Sequence, residues 1–122
     1  MDIETIDGEF SLCQVENYGE VNWDAPYIFT GQTDEEKSLV CRAHDVPAHT
    51  VRRDDGWRAF RLKGTFEFSL VGILAKIAAI LAAQRISIFA VSTYNTDYVL
   101  VKKDQYEKAL AALAAAGYHI VR

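Results

Sequence analysis

The chain has 122 residues, half of them apolar, which suits one compact body with a packed core and is too many for disorder. Its net charge is −4, and Arg52, Arg53, Arg58, Arg61 and Lys63 are interleaved with Asp54 and Asp55, a pattern that does not track a phosphate backbone and excludes nucleic acid. The longest helix-like apolar run, 70–83, is broken by Lys76 and falls short of the roughly 20 residues a bilayer span needs, so no membrane class fits.

Met1 is followed by Asp2, Glu4 and Asp7 with neither a basic nor an apolar leader segment, and a cytoplasmic location is expected. Cys13 and Cys41 sit inside apolar stretches and are expected as buried thiols that pack like small hydrophobes. Residues 10–15, 27–30 and 38–41 are short apolar runs bounded by turn residues and predict three strands. Thr33, Asp34, Glu35 and Glu36 have capping-box spacing, but the run after them is short and β-branched, so they read as a turn into a strand. Residues 45–56 combine Pro47 and Gly56 with arginines and aspartates, the composition of a connecting loop. A boundary is expected there, with 1–56 as a strand-rich first segment and 57–122 as a second.

The second segment has a clearer order. Residues 57–63 read as a strand with Arg58, Phe60 and Leu62 on one face and Trp57, Ala59, Arg61 and Lys63 on the other. Leu70, Ile73, Leu74, Ile77, Ile80 and Leu81 recur at three- and four-residue steps and line one face of a helix that must be buried. Gln84 and Arg85 interrupt that pattern. Residues 86–91 then carry no charge and are rich in β-branched and aromatic side chains, as a buried strand would be. A polar hairpin at 92–97 leads into a strand at 98–101. Asp104 with Glu107 marks a second helix start, whose apolar stripe is Tyr106, Ala109, Leu110, Leu113 and Ala114. Gly117 supplies its stop, and 118–121 is a last short strand. The order βαββαβ is an α+β pattern that puts two helices on one face of a four-stranded antiparallel sheet. The uncharged strand through 86–93 falls at the margin of such a sheet, where it needs a partner: a strand of the first segment or its counterpart in a second copy.

The run Gly72-Ile73-Leu74-Ala75-Lys76-Ile77-Ala78, followed by Leu81-Ala82 and Ile86-Ser87-Ile88, resembles the signature of the ACT domain, a ferredoxin-like small-molecule-binding module of amino-acid metabolism. Residues 69–75, 86–89 and 92–101 are similar to the tandem ACT regions of aspartokinases and of cytosolic arginine sensors, and residues 33–41 resemble the first half of that subgroup. The resemblance implies a complete ACT domain over 57–122, an incomplete ACT-like half before it, and an amino-acid ligand held at a seam between ACT units. Many ACT domains carry an Asp-Arg-Pro-Gly turn where this chain has Ser69-Leu70-Val71-Gly72, so the carboxylate and proline of that turn are missing and its ligand set does not carry over.

Elementary chemistry points to the same stretch. A helix N-terminus offers unpaired N–H groups and partial positive charge to a carboxylate, which makes Ser69, Leu70, Val71, Gly72 and Ile73 candidate ligand-binding residues. Gly72 has two readings: it leaves room for a ligand, or it allows close packing of helix on sheet. Ser92, Thr93, Tyr94, Asn95, Thr96 and Asp97 also have two readings, a hairpin whose residues suit the turn, or a polar loop in which Asp97 accepts from a ligand ammonium while hydroxyls orient it. Glu36 and Ser38 are candidates to complete the pocket if the first segment folds beside this loop, the other reading of Glu36 being a solvated side chain. No catalytic residue, cofactor or metal is assigned: Cys41, His44 and His49 lack a fourth ligand at fixed spacing, and no P-loop, Rossmann or nucleophile-elbow pattern occurs. The sequence therefore points to a non-enzymatic regulator or sensor that binds an amino acid, possible partners being a second copy or a regulated protein. The alternative is a structural or protein-interaction module without a working pocket.

Overall fold

The computed structural model describes residues 1–63 and 72–122. The elements are strands β1 (Asp2–Val15), β2 (Phe29–Gln32), β3 (Lys37–Arg42) and β4 (Arg52–Lys63), helix α1 (Ile73–Ala83), strands β5 (Phe89–Ser92) and β6 (Asp97–Lys102), helix α2 (Tyr106–Ala115) and strand β7 (His119–Val121). They form two compact units, one of Gly8–Trp57 and one of Met1–Asp7 with Arg58–Arg122. Residues 1–7, expected with the first segment, pack in the second unit because Ile3 is fully buried in its core. β1 and β4 are longer than expected and run through the boundary. Each carries a glycine beside it with left-handed backbone, Gly8 at φ 94° and Gly56 at φ 81°, a conformation that disfavours any side chain. The acidic residues of 1–9 mask the Ile3 and Ile6 burial that makes that stretch a strand. Residues 52–56, expected in a loop, are strand because their charged side chains face solvent and Asp55 ties two elements, accepting from the Ser11 hydroxyl at 2.6 Å and from Arg53 Nε at 3.0 Å.

In the unit of Met1–Asp7 and Arg58–Arg122 the strand order is β7–β1–β4–β6–β5. The βαββαβ chain order is present, and the start of β1 is added between its first and last strands. It pairs in parallel with β7, Asp2 opposite His119 and Glu4 opposite Val121. One core joins the helices to the sheet: Ile77 and Leu81 of α1, Tyr106, Ala109, Leu110 and Leu113 of α2, and Phe60, Leu62, Val99 and Val101 of the strands. Ile73, Leu74 and Ile80 pack at its margin. Ala114, expected in the α2 stripe, is exposed, since the helix ends one residue later and its face has turned outward. The α2 start also differs from expectation. A 3₁₀ turn at Lys103–Gln105 feeds the helix, no side chain caps it, and Glu107 instead pairs with Arg122. β5 begins three residues later than expected and is largely exposed where a buried strand was expected, because it lies at the sheet margin with β6 as its neighbour.

The unit Gly8–Trp57 has the strand order β2–β3–β1–β4, the same succession of first, second, third and fourth strands without helices between them. Tyr18, Val21, Ile28 and Val46 cover the core of Cys13, Val15, Leu39 and Cys41. Its hairpin repeats that of the other unit at an offset of sixty residues. Phe29 lies opposite Val40 and Gln32 opposite Lys37, as Phe89 lies opposite Leu100 and Ser92 opposite Asp97. β3 and β6 share one burial pattern, and each runs into a 3₁₀ turn, Ala43–Asp45 and Lys103–Gln105.

Tyr106 anchors the helical layer. It is 1% exposed, its hydroxyl donates to the Ala59 carbonyl at 2.6 Å, and the Arg58 guanidinium lies 4.4 Å from its ring centroid. We expect Tyr106→Phe to destabilise the chain by about 1–3 kcal/mol, because the buried carbonyl loses its donor. Urea unfolding measures this as a lower midpoint at constant slope; an unchanged midpoint would mean that the hydroxyl contributes nothing.

Candidate functional site

Of the residues expected to bind ligand, Ser69, Leu70 and Val71 lie outside the described residues. Gly72 is the N-cap of α1 with φ 81°, its carbonyl receives the Lys76 N–H at 2.9 Å, and among the described residues no side chain caps the helix start. Among the described residues a Cβ built on Gly72 meets nothing within 4 Å, and its left-handed backbone is what favours glycine there. Ile73 is half-buried against the helical core.

The hairpin is held by its own threonines. Thr93 Oγ1 donates to the Thr96 carbonyl at 2.9 Å, and the Thr93 N–H reaches the same oxygen at 2.9 Å. Thr96 is 5% exposed, and its hydroxyl donates to the Leu62 carbonyl at 2.8 Å. Leu62 is the penultimate residue of β4, so this bond fixes the hairpin at the end of β4 from which the chain leads to α1. The two threonine hydroxyls thus use their protons within the fold. Ser92 and Asn95 are exposed, Tyr94 is 89% exposed, and Asp97 is half-buried as the first residue of β6. The described residues therefore offer the α1 start at Gly72 and, on the hairpin, one carboxylate and exposed polar side chains.

Glu36 and Ser38 belong to the unit Gly8–Trp57. Glu36 is exposed, and its N–H donates to Thr33 Oγ1 at 3.2 Å. The Ser38 hydroxyl donates to the Gly31 carbonyl at 3.2 Å, and its carbonyl receives the Tyr18 hydroxyl at 3.1 Å. A cavity of about 690 Å³ in this unit is lined by Glu16, Asn17, Glu20 and residues 48–51. There Glu20 holds His49 through both ring and backbone, Nδ1 at 3.1 Å and the N–H at 3.3 Å, a clasp with no signal in sequence spacing. His49 holds the Glu20 carboxyl below the usual range through that bond. Cys13 and Cys41 are free and buried, and burial pushes the Cys41 thiol up to about 12, which keeps it protonated and unreactive. Among the described residues no helix is long and apolar enough to cross a membrane.

The family profile of the ACT domain matches residues 52–115, more than half of the chain. The chain belongs to the ACT-domain family. Among curated proteins no sequence match was found. Among solved structures, an Agobacterium tumefaciens protein is similar at 27% identity and TM-score 0.87, over 98% of this chain and 91% of that one. The allosteric aspartate kinase of Clostridium acetobutylicum matches at 14% identity and TM-score 0.69, over 90% of this chain and 33% of the enzyme. The aspartokinase alpha and beta subunits match at 18% identity and TM-score 0.65, over 95% and 97%. These last two likenesses are of fold. The architecture is a ferredoxin-like α+β ACT domain with a strand-rich, incomplete ACT-like half, the helix-free unit Gly8–Trp57.

Thr96→Val keeps the shape of the side chain and removes the donor to Leu62. We expect a loss of about 1–3 kcal/mol in stability, measured by chemical denaturation, because the Leu62 carbonyl is left unsatisfied. A variant as stable as the parent would show that the hairpin is held by its turn alone.

Proposed function

We propose that this ACT-domain protein is a non-enzymatic regulator that binds an amino acid in the unit containing α1. The ligand carboxylate lies at the α1 N-terminus, where Gly72 and Ile73 begin the helix, and its ammonium lies at Asp97. The observation that carries this reading is the Thr96–Leu62 hydrogen bond, which fixes the polar hairpin at the end of β4 that leads into α1. ACT domains are regulatory modules for small molecules, and a helix start with no side-chain cap among the described residues supports a carboxylate as the group recognised. Free, buried thiols at Cys13 and Cys41 suit the reducing cytoplasm, where we take the protein to act.

Charge-assisted hydrogen bonds contribute roughly 1.5–3 kcal/mol each, so Asp97→Asn is expected to weaken amino-acid binding by about one to two orders of magnitude while the fold persists. Calorimetry of parent and variant against each of the common amino acids measures this. Equal affinities would remove Asp97 from the site.

A second copy is the partner that the β5 margin fits. Residues 86–96 hold no charge, and Phe89 is 37% exposed on a strand with neither proline nor lysine to discourage pairing. We expect Val91→Lys to lower the light-scattering mass from that of a dimer to that of a monomer. A parent protein that is already monomeric at the same concentration would rule this pairing out.

A further inference from the structure

In the unit Gly8–Trp57 a loop closes the core, and it is fastened differently from the strands beneath it. Cys13 and Cys41 are 6% and 0% exposed and share that core, Cys13 opposite Leu39 and Cys41 opposite Ser11 on neighbouring strands. Among the described residues the half-buried side chains over them are Tyr18, Val21, Ile28 and Val46, and all but the last belong to residues 16–28. Those residues form neither helix nor strand. Their backbone bonds, from the Val21 N–H to the Tyr18 carbonyl at 3.2 Å and from the Ala25 N–H to the Asn22 carbonyl at 3.1 Å, close turns within the loop itself. Among the described residues, the hydrogen bonds that tie 17–26 to the rest of the unit all use loop side chains. The Tyr18 hydroxyl donates to the Ser38 carbonyl at 3.1 Å, Glu20 holds His49 at 3.1 Å, and Asn22 Nδ2 donates to Asp45 at 3.5 Å. The last two are exposed, with the Glu20 and His49 side chains 48% and 86% open to solvent. The stem of the loop borders a void: Glu16, Asn17 and Glu20 line one side of the cavity of about 690 Å³ whose other wall is 48–51. The far end is anchored at Tyr27, whose ring meets Phe10 edge-on at 5.9 Å and has the Arg42 guanidinium 4.9 Å from its centroid.

Exposed ion pairs contribute little, and a segment held by few side-chain bonds opens at lower free energy than the strands it covers. We infer that residues 16–26 are a lid that lifts by itself, pivoting at Tyr27, and that this opening makes Cys13 and Cys41 a gated modification site for soft electrophiles. With the lid closed, burial is the main cause that raises both thiols and keeps them protonated. With it lifted they return to the range of an ordinary thiol, whose thiolate is the nucleophile. The sulfur adds to an electron-poor C=C bond, the C–S bond forming as the π bond breaks, and a proton from water completes the adduct, so no oxidant is required. The inference is independent of the Asp97 reading.

The test uses N-ethylmaleimide on the full chain, with adducts at Cys13 and Cys41 followed by mass spectrometry against time, in urea concentrations below the unfolding transition. The expected result is labelling slower than that of free cysteine, with a dependence on urea much shallower than that of global unfolding, because lifting a lid exposes little surface. Glu20→Gln and Tyr18→Phe are each expected to raise the rate about two- to fivefold. A urea dependence equal to that of global unfolding followed by circular dichroism would overturn the inference, since the thiols would then open only with the whole chain. A parent rate equal to that of free cysteine, or rates unchanged in both variants, would overturn it as well. The parent's urea dependence decides the matter even where a variant does not fold.

Discussion

The hydroxyl of Thr96, buried and bonded to the Leu62 carbonyl, is the contact on which the candidate site depends. A hairpin of four residues has little packing of its own, and without a tie to the sheet its polar side chains would sample many positions. Fastened to the end of β4, it stands at the end of the sheet from which the chain goes on to α1. Thr93 completes the arrangement by closing the turn on itself, so that Asp97 enters β6 at a set register opposite Ser92.

In the unit containing Arg58–Arg122 the helices supply the core that covers the sheet. α1 contributes Ile77 and Leu81 to the core and α2 contributes Tyr106, Leu110 and Leu113, with Ile73 and Leu74 of the first α1 turn packed at its margin. The other unit solves the same problem differently. With no helix to cover β1 and β3, residues 16–28 supply Tyr18, Val21 and Ile28 as a lid over Cys13, Val15, Leu39 and Cys41. A lid made of loop leaves no α-helix N-terminus in this unit.

Much of this was legible in the sequence where periodicity is strong. The steps of Ile73, Ile77 and Leu81, and of Tyr106, Leu110 and Leu113, gave both helices and their buried faces, and the order βαββαβ gave the fold class. What local patterns hid has identifiable causes. The first residues of β1 read as an acidic tail, since the alternation around Ile3 and Ile6 is crowded by carboxylates and its partner β7 is more than a hundred residues away. The charged start of β4 looked like a loop because its stabilising contacts, from Ser11 to Asp55 for example, come from a distant strand. β5 looked buried because it lacks charge, although a margin strand can be apolar and still exposed. The hairpin was legible as a turn, but the division of labour in it was not. Nothing local tells that Thr96 faces a strand-end carbonyl while Tyr94, two residues earlier, faces solvent.

The central claim is that one end of one unit receives an amino acid. Backbone amide NMR, with the chain titrated by each common amino acid, addresses it residue by residue. The account predicts saturable shifts concentrated at the first amides of α1, from Ile73 onward, and at residues 92–97, with those at 33–37 unmoved. Shifts centred on the hairpin at 33–37, or a spectrum unchanged by every amino acid, would contradict it.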